Sequence, residues 1–582
     1  MSEKTYIKGK DLDLETTIDT MLAKLAKWDI EVEEASWLNP VPYVHSLHIK
    51  DVSCDLMFTN GKGATKKSCH ASALGEYFER MSCNYFFADY YLGDEISNGD
   101  FVHYPSEKWF EDEDGDMPEG LLNDELWEFY DPDDDVEPEN IFDFNSGAGE
   151  RGICALPFTR HSDDEVTYFP VNIIGNLYVS NGMAAGNTEN EARVQALSEI
   201  CERYVKNKII SEMITLPEIP ATVLARFPHI EKSINSLVEY GYNLRICDAS
   251  LGGVYPVICV TLINPNEGSV LASFGAHPSF EVALERTVTE LLQGRSIDQN
   301  SDFTVPSFNR AEVVDNNNLV EHFINSTGLI AYDFFKSEAD YEFIDWDHDT
   351  NTGSEFEYLC ELIEAQDREI YIMDYNHLDV YACRVIVPGM SEIYQVEDLM
   401  WSNNNEGAHY REYLLSLDKM DKEGWESVLE NLEDDDLLDV QKMAEFIGVV
   451  PDVDTRWDSL QVGTLKGMLF LALQDYDQAV IWNNWTLHMA DISNSERRHH
   501  NCLAAMLEIV MDDEKVFSMY KDSLESLYGA ESVQECIDLI QGDAQFQGLH
   551  FPGLSLDGFE KHQALLDGYK KLHKAKAESF KK

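Results

Sequence analysis

The sequence is poor in basic residues and lacks paired cysteines. Its 43 lysines and arginines stand against 108 acidic residues, which gives a formal net charge of −65. Such a charge repels phosphate backbones, so it excludes nucleic acid as a direct partner. The 11 cysteines are scattered singly, without a Cys-x-x-Cys pair. This pattern favours reduced thiols in a cytosol over a disulfide framework or a zinc ribbon.

Long apolar segments are missing as well. The longest apolar run, around residues 254–263, is too short to cross a bilayer and predicts a buried strand. The N-terminal residues contain no apolar core of a secretion signal. We therefore expect a soluble, cytoplasmic protein without a membrane partner.

The common nucleotide and zinc motifs are also missing. No His-Glu-x-x-His sequence is present, which excludes that class of zinc site. Residues 61–68, Gly-Lys-Gly-Ala-Thr-Lys-Lys-Ser, are similar to a phosphate-binding P-loop, but Lys66 stands where that motif needs its second glycine. A P-loop at this position stays open only as a minor alternative.

The length and patterning predict two main parts. A chain of 582 residues is too long for a single core. Strand-like and helix-like segments alternate up to Met390, which predicts a mixed α/β core over residues 1–395. Residues 396–582 read as successive helices, and residues 465–480 are similar to a tetratricopeptide helix pair. We therefore expect a helical, tetratricopeptide-like domain after the core.

An acidic, loop-rich insertion interrupts the expected core at residues 93–150. It contains repeated Pro, Gly and Asp, which is typical of a solvated loop. A calcium-binding EF-hand is excluded, because placing Gly115 at the sixth loop position puts Phe110 at the first ligand position.

The most informative pattern is a repeated pair of glutamates. Residues 72–80 read Ser-Ala-Leu-Gly-Glu-Tyr-Phe-Glu-Arg, and residues 195–203 read Gln-Ala-Leu-Ser-Glu-Ile-Cys-Glu-Arg, 123 positions later. A Gly-x-Thr turn precedes each copy, and a weaker third copy runs from residue 283 to residue 293. Helical spacing places the carboxylates on one side and the apolar residues on the other. Recurrence in register argues against ordinary surface ion pairs.

Partly burying repeated carboxylates on half-apolar helices costs free energy unless a cation lies between them. Carboxylate oxygens suit Mg²⁺, which also takes phosphate oxygens and waters. Arg286 and Lys10 would then neutralise the remaining phosphate charge. The pattern therefore indicates a site for Mg²⁺ with a nucleotide.

The three motifs, in this order, resemble those of the YcaO family, whose members bind ATP and Mg²⁺ without a P-loop. The resemblance implies that the magnesium ligands are Glu76, Glu79, Glu199, Glu202 and Glu290. It places around the nucleotide Lys10, Ser72, Asn187, Glu191, Gln195, Ser198, Arg203 and Arg286. It identifies no catalytic residue.

The same resemblance implies activity and partners. Better-understood members phosphorylate a backbone amide oxygen, and one bacterial member is an accessory factor for methylthiolation of a small-subunit ribosomal protein. A ribosomal protein or a methylthiotransferase is thus an expected partner, and a homodimer an expected assembly. Azoline-forming members have a proline-rich C-terminus, whereas this chain has no proline after Pro552. Azoline synthesis is therefore not expected.

Three interpretations stay open at this point. The first is an enzyme that activates amides with ATP. The second is an accessory protein that binds a partner and uses ATP as a structural or regulatory ligand. The third treats the glutamate helices as ion-paired scaffolding.

Overall fold

A computed structural model describes residues 4–111, 116–296, 303–399, 406–435 and 437–581. Part of the acidic insertion, residues 112–115, and residues 400–405 beside the expected domain boundary lie outside the described residues. The strands are β1 (Val32–Val41), β2 (Val44–Asp51), β3 (Phe58–Gly63), β4 (Lys108–Phe110), β5 (Ile153–Arg160), β6 (Val166–Pro170), β7 (Met183–Gly186), β8 (Asn243–Asp248), β9 (Val257–Asn264), β10 (Ser269–Ala276), β11 (Tyr371–Tyr375) and β12 (Tyr381–Ile386).

The helices before residue 400 accompany these strands. They are α1 (Leu14–Lys27), α2 (Lys66–Ser82), α3 (Asp94–Ser97), α4 (Asp124–Tyr130), α5 (Val171–Ile173), α6 (Glu189–Ser211), α7 (Ala221–Leu224), α8 (Pro228–Glu239), α9 (Phe280–Leu291), α10 (Arg310–Val313), α11 (Asn316–Ile324) and α12 (Thr352–Glu364).

The strands form three antiparallel sheets. Two sheets have three strands each, in the orders β1-β2-β3 and β10-β9-β8. The third follows the order β4-β5-β11-β12-β7, and β6 pairs with β5 beside that path. Helix α2 packs on the first sheet, α9 on the second, and α6 on the edge of the third formed by β7 and β12. The mixed α/β core predicted from the sequence is confirmed.

The acidic insertion is loop-rich, as predicted, but its interpretation as a solvated loop is wrong. Its apolar side chains, including Tyr104, Leu126, Tyr130 and Ile141, are buried in one cluster with β5 and β11. Acidic residues dominate the composition, whereas the apolar residues between them decide the packing.

After residue 405 the described chain contains helices and no strand. They are α13 (Ala408–Leu414), α14 (Lys422–Asp434), α15 (Met443–Phe446), α16 (Arg456–Ser459), α17 (Val462–Ala472), α18 (Tyr476–Met489), α19 (Asn494–Val510), α20 (Phe517–Tyr528), α21 (Ala530–Gln541) and α22 (Glu560–Phe580). The helical C-terminal region is thus confirmed, and its tetratricopeptide character stays a prediction. Among the described residues, no helix is both long and apolar enough to cross a membrane.

Candidate functional site

The glutamate-bearing helices each follow a strand directly. Strand β3 precedes α2, β7 precedes α6, and β10 precedes α9. The first two turns are closed alike, because Thr65 and Thr188 cap α2 and α6 by accepting hydrogen bonds from the amides of Ser68 and Glu191. The predicted Gly-x-Thr turns are therefore helix N-caps in two copies of a strand–turn–helix unit.

The P-loop alternative does not survive in the structure. A side chain at Gly61 would place its Cβ 2.3 Å from the carbonyl oxygen of Cys69, so β3 packs directly against α2 at this point. The glycine therefore serves close packing of strand against helix and does not cradle a phosphate.

Both long helices bury one side and turn the other toward a shared cavity. On α2, Leu74, Tyr77, Phe78 and Met81 are fully buried, as the helical spacing predicts. On α6, the fully buried residues are Ala192, Leu197, Ile200 and Val205. The opposite sides meet α9 across a cavity of about 520 Å³, which is within the ~300–1,000 Å³ typical of small-ligand sites.

Twelve of the thirteen predicted site residues line this cavity. They are Lys10, Ser72, Glu76, Glu79, Asn187, Glu191, Gln195, Glu199, Glu202, Arg203, Arg286 and Glu290. Ser198 is the exception: it is fully buried within α6, and its hydroxyl oxygen has no hydrogen-bond partner among the described residues.

The α2 carboxylates share one arginine. Arg80 Nη2 lies 3.3 Å from Glu76 Oε1, and Arg80 Nε lies 3.6 Å from Glu79 Oε1. Burial raises the pKa of Glu79 well above its usual range, Arg80 opposes that rise, and Glu199 adds to it. Two carboxylates thus compete for one cation at this end of the cavity.

Helix α6 presents a second arginine in the same way. Arg203 Nη1 lies 2.9 Å from Glu199 Oε1 and donates a 3.1 Å hydrogen bond to Asn181 Oδ1. Its guanidinium also stacks over the Phe323 ring, 4.7 Å from the centroid. The arginine is therefore held on three sides and oriented before any ligand binds.

Helix α9 contributes two further contacts. Arg286 Nη1 donates to Gln195 Oε1, and Glu290 is paired with Lys62 from β3. Burial and the nearby Arg286 lower the pKa of Lys62 to about 8, against the raising effect of Glu202. Sequence reasoning missed Lys62 as a cavity residue, because its only signal was its position between the two glycines of the false P-loop.

The N-terminal segment closes one side of the cavity. Lys10 Nζ lies 3.3 Å from Glu191 Oε1, and Glu191 Oε2 accepts the amide of Asp11 at 3.0 Å. Burial alone would raise the pKa of Glu191, but Lys10 and the Asp11 amide outweigh it and leave the pKa below its usual range. Asn187 donates to the same carboxylate, so Lys10, Asn187 and Glu191 form one hydrogen-bonded group.

His277 supports this segment and was also missed from sequence. Gly9 has φ +70°, and a Cβ there would lie 2.8 Å from His277 Nε2. Burial lowers the pKa of His277 to about 3, so the ring is neutral. The close approach of Gly9 to the ring sets the path of the turn that carries Lys10.

The chemistry of the lining suits a magnesium-bound nucleotide. Eight glutamates line the cavity with six cations, Lys8, Lys10, Lys62, Arg80, Arg203 and Arg286, so a bare triphosphate would meet unbalanced negative charge. Arg80 Nη1 and Arg286 Nε are buried without a hydrogen-bond partner among the described residues, which leaves donors for phosphate oxygens. Among those residues, no three of the glutamates bring their oxygens within 4.8 Å of one another. The glutamates alone therefore do not form a closed metal site, and phosphate oxygens and waters would complete the coordination of Mg²⁺.

A separate cluster, His103, Asp143 and Cys154, does bring three ligand atoms within 4.8 Å. Two of its groups already bond to each other: His103 Nε2 donates to Asp143 Oδ2 at 2.8 Å, and Ser146 Oγ donates to the same oxygen at 2.6 Å. Burial raises the pKa of the Cys154 thiol well above its usual range, whereas a metal needs the thiolate. The cluster is a buried hydrogen-bond network.

Comparison with known proteins identifies the family. Residues 60–391 match the family model described as YcaO cyclodehydratase, ATP- and Mg²⁺-binding, and residues 407–578 match the YcaO cyclodehydratase C-terminal domain. The chain is 51% identical over 579 residues to the Escherichia coli ribosomal protein S12 methylthiotransferase accessory factor YcaO, with 99% of each chain covered. It is 50% identical over 587 residues to an uncharacterised Haemophilus influenzae protein, with both chains fully covered.

The solved structures that match this chain are less similar to it in sequence than these two relatives. YcaO from Methanopyrus kandleri bound with AMPPCP and Mg²⁺ is 20% identical, with a TM-score of 0.42, and the match covers 67% of this chain and 95% of that one. A heterocyclase in complex with substrate and cofactor is 18% identical, with a TM-score of 0.43, over 67% of this chain and 55% of that one. The description of the matched domain names ATP and Mg²⁺, the two ligands predicted from the sequence. The chain belongs to the YcaO family.

Proposed function

We propose that this protein binds ATP with Mg²⁺ in the cavity between α2, α6 and α9 and uses it to activate a backbone amide of a protein or peptide. The observation that supports it best is the cavity lining, in which eight glutamates and six cations surround a volume of about 520 Å³. Scaffolding alone would not explain why the paired charges converge on an open cavity, because ion pairs of that kind serve equally well on a surface.

In this proposal ATP supplies the phosphoryl group, and Mg²⁺ neutralises its charge. Glu76, Glu79, Glu199, Glu202 and Glu290 would hold the metal. Arg203 and Arg286 would bind phosphate oxygens as planar forks, and Lys10 would bind as a point charge on the side that the N-terminal segment closes. The chain thus provides positioning and charge stabilisation for transfer to a poorly nucleophilic amide oxygen.

Calorimetric titration tests nucleotide binding. Wild-type protein is expected to bind ATP in the presence of Mg²⁺, and the Glu199→Ala/Glu202→Ala double variant is expected to lose that binding. Glu189→Ala is the matched control, because Glu189 lies on the same helix and its side chain is 52% exposed. Equal binding by wild type and double variant would refute the assignment of the metal ligands.

A second candidate function is that of an accessory factor. It is supported by 51% identity to a relative whose name states that role for the methylthiotransferase of ribosomal protein S12. In this case ATP would be a structural or regulatory ligand, and the helical region, residues 396–582 as predicted, would contact the partner. We propose a cytoplasmic homodimer for both functions, which sedimentation equilibrium would test.

One experiment separates the two functions. Wild-type protein is added to a methylthiotransferase reaction on ribosomal protein S12 with either ATP or the non-hydrolysable analogue AMPPCP, and modification of S12 is measured by mass spectrometry. An enzyme that activates the substrate by phosphoryl transfer from ATP must lose its effect with the analogue. An accessory factor that uses the nucleotide only as a structural or regulatory ligand must retain it.

A further inference from the structure

Helix α22 packs against the segment that follows the C-terminus of α2. The ring of Tyr569 lies 4.8 Å from the ring of Phe87, centroid to centroid, and the Tyr569 hydroxyl donates to the carbonyl oxygen of Val102. Helix α2 itself carries Ser72, Glu76 and Glu79, which line the cavity. The C-terminal helical region therefore contacts the chain directly after the helix that bears predicted metal ligands.

The polar contact in this interface is made by Lys576. The residue is 2% exposed, and its Nζ donates to Asn84 Oδ1 and, at 2.7 Å, to the carbonyl oxygen of His103. The ammonium also lies 4.1 Å from the Tyr104 ring centroid and 5.1 Å from that of Tyr569. Within the described residues it has no carboxylate within 4.0 Å, so its partners are neutral groups.

These partners lie at the C-terminal end of α2. The helix ends at Ser82, and Asn84 follows in a left-handed conformation with φ +61°. Tyr104 Oη donates a 2.7 Å hydrogen bond to the carbonyl oxygen of Ser82, in the last turn of the helix.

The same last turn carries Glu79 and Arg80. Arg80 lies over the ring of Tyr85, 4.1 Å from the centroid, directly after Asn84 in the chain. A shift of this turn would therefore move Glu79 and the arginine that it shares with Glu76. Positioning groups behind metal ligands commonly change metal affinity about 10–100-fold when removed.

We infer that Lys576 is a positioning residue: it fixes the C-terminal turn of α2, and so makes binding of the magnesium-bound nucleotide depend on the C-terminal helical region. This inference rests on the proposed function. Stability alone does not account for Lys576: burial lowers the pKa of its amine well below the usual range, and a buried polar group with neutral partners costs more than an apolar side chain of similar length.

The test compares Lys576→Met with Lys574→Met. Methionine keeps the length and apolar stem of lysine and removes the ammonium, and Lys574 is an exposed lysine on the same helix. ATP affinity is measured by calorimetry over a series of Mg²⁺ concentrations, and the unfolding temperature by scanning calorimetry. We expect Lys576→Met to weaken Mg²⁺-dependent ATP binding about tenfold or more, with an unfolding temperature at or above that of wild type. Lys574→Met should change neither quantity.

The outcomes distinguish a failure of this inference from a failure of the proposed function. If wild type binds magnesium-bound ATP and Lys576→Met binds it equally, the inference is overturned and the proposed function stands. If wild type does not bind, both are overturned. If Lys576→Met does not fold, Asn84→Gly decides, because it removes the side-chain acceptor of Lys576 and keeps a residue that tolerates the positive φ at this position. Loss of affinity in that folded variant supports the inference, and wild-type affinity overturns it.

Discussion

Glu79 offers a test in which stability and binding should move in opposite directions. Its side chain is 13% exposed, and its cation, Arg80, is also 3.3 Å from Glu76. The change Glu79→Gln removes one of the two carboxylates that share this arginine, the less exposed one, and leaves a matched Glu76–Arg80 pair. Relief of an incompletely compensated buried charge should stabilise the ligand-free protein by about 1–2 kcal/mol.

The bound state should respond in the opposite way. A ligand at 100 times its Kd stabilises wild-type protein by about 2.7 kcal/mol. If Glu79 is a magnesium ligand, most of this increment should disappear in the variant. Scanning calorimetry with and without magnesium-bound ATP measures both effects. Glu189→Gln is the control, expected within about 0.5 kcal/mol of wild type. A destabilised ligand-free variant, or an unchanged ligand increment, would refute the reasoning.

Two further predictions concern buried histidines. His562 donates to the carbonyl oxygen of Tyr91 at 2.9 Å and accepts the amide of Val450 at 3.0 Å, and burial lowers its pKa to about 4. In the unfolded chain the His562 ring therefore gains a proton near pH 6.5, whereas in the folded chain it stays neutral down to lower pH. Its contribution to the free energy of unfolding should fall by about 2 kcal/mol between pH 6.5 and pH 5. Unfolding measured at both pH values should show a smaller fall in His562→Gln, and an equal fall contradicts the assignment. Separately, Gly9→Ala should weaken ATP binding in calorimetry through its clash with His277, and the added change His277→Ala should restore affinity if the clash is the cause.

The sequence was sufficient where a periodic pattern coincided with a helix. The apolar side of α2 and the shared side of its glutamates followed from spacing alone, because helix geometry is local. The third copy was less accurate: it was placed over residues 283–293, whereas α9 ends at Leu291. Leu292 continues the apolar pattern beyond that end, so periodicity did not mark it.

Contacts between distant parts of the chain could not be read from the sequence. The pairing of Lys62 with Glu290 joins two segments more than 200 positions apart, and the fold alone brings them together. Neither His277 nor Lys576 belongs to a sequence motif. Their roles depend on burial against Gly9 and Asn84, which composition and spacing do not encode.

The arrangement of the cavity has a consequence for synthesis on the ribosome. Its lining comes from four stretches between residues 7 and 293, whereas Met57 and Phe87, on either side of α2 in the chain, lie against Gly568 and Tyr569 of Glu560–Phe580. While the nascent chain is growing, Met57 and Phe87 therefore lack this cover until translation is nearly finished. Such surfaces are typical chaperone targets and aggregate when left open. Prematurely terminated products of this protein are thus expected to be aggregation-prone even when they contain every predicted ligand.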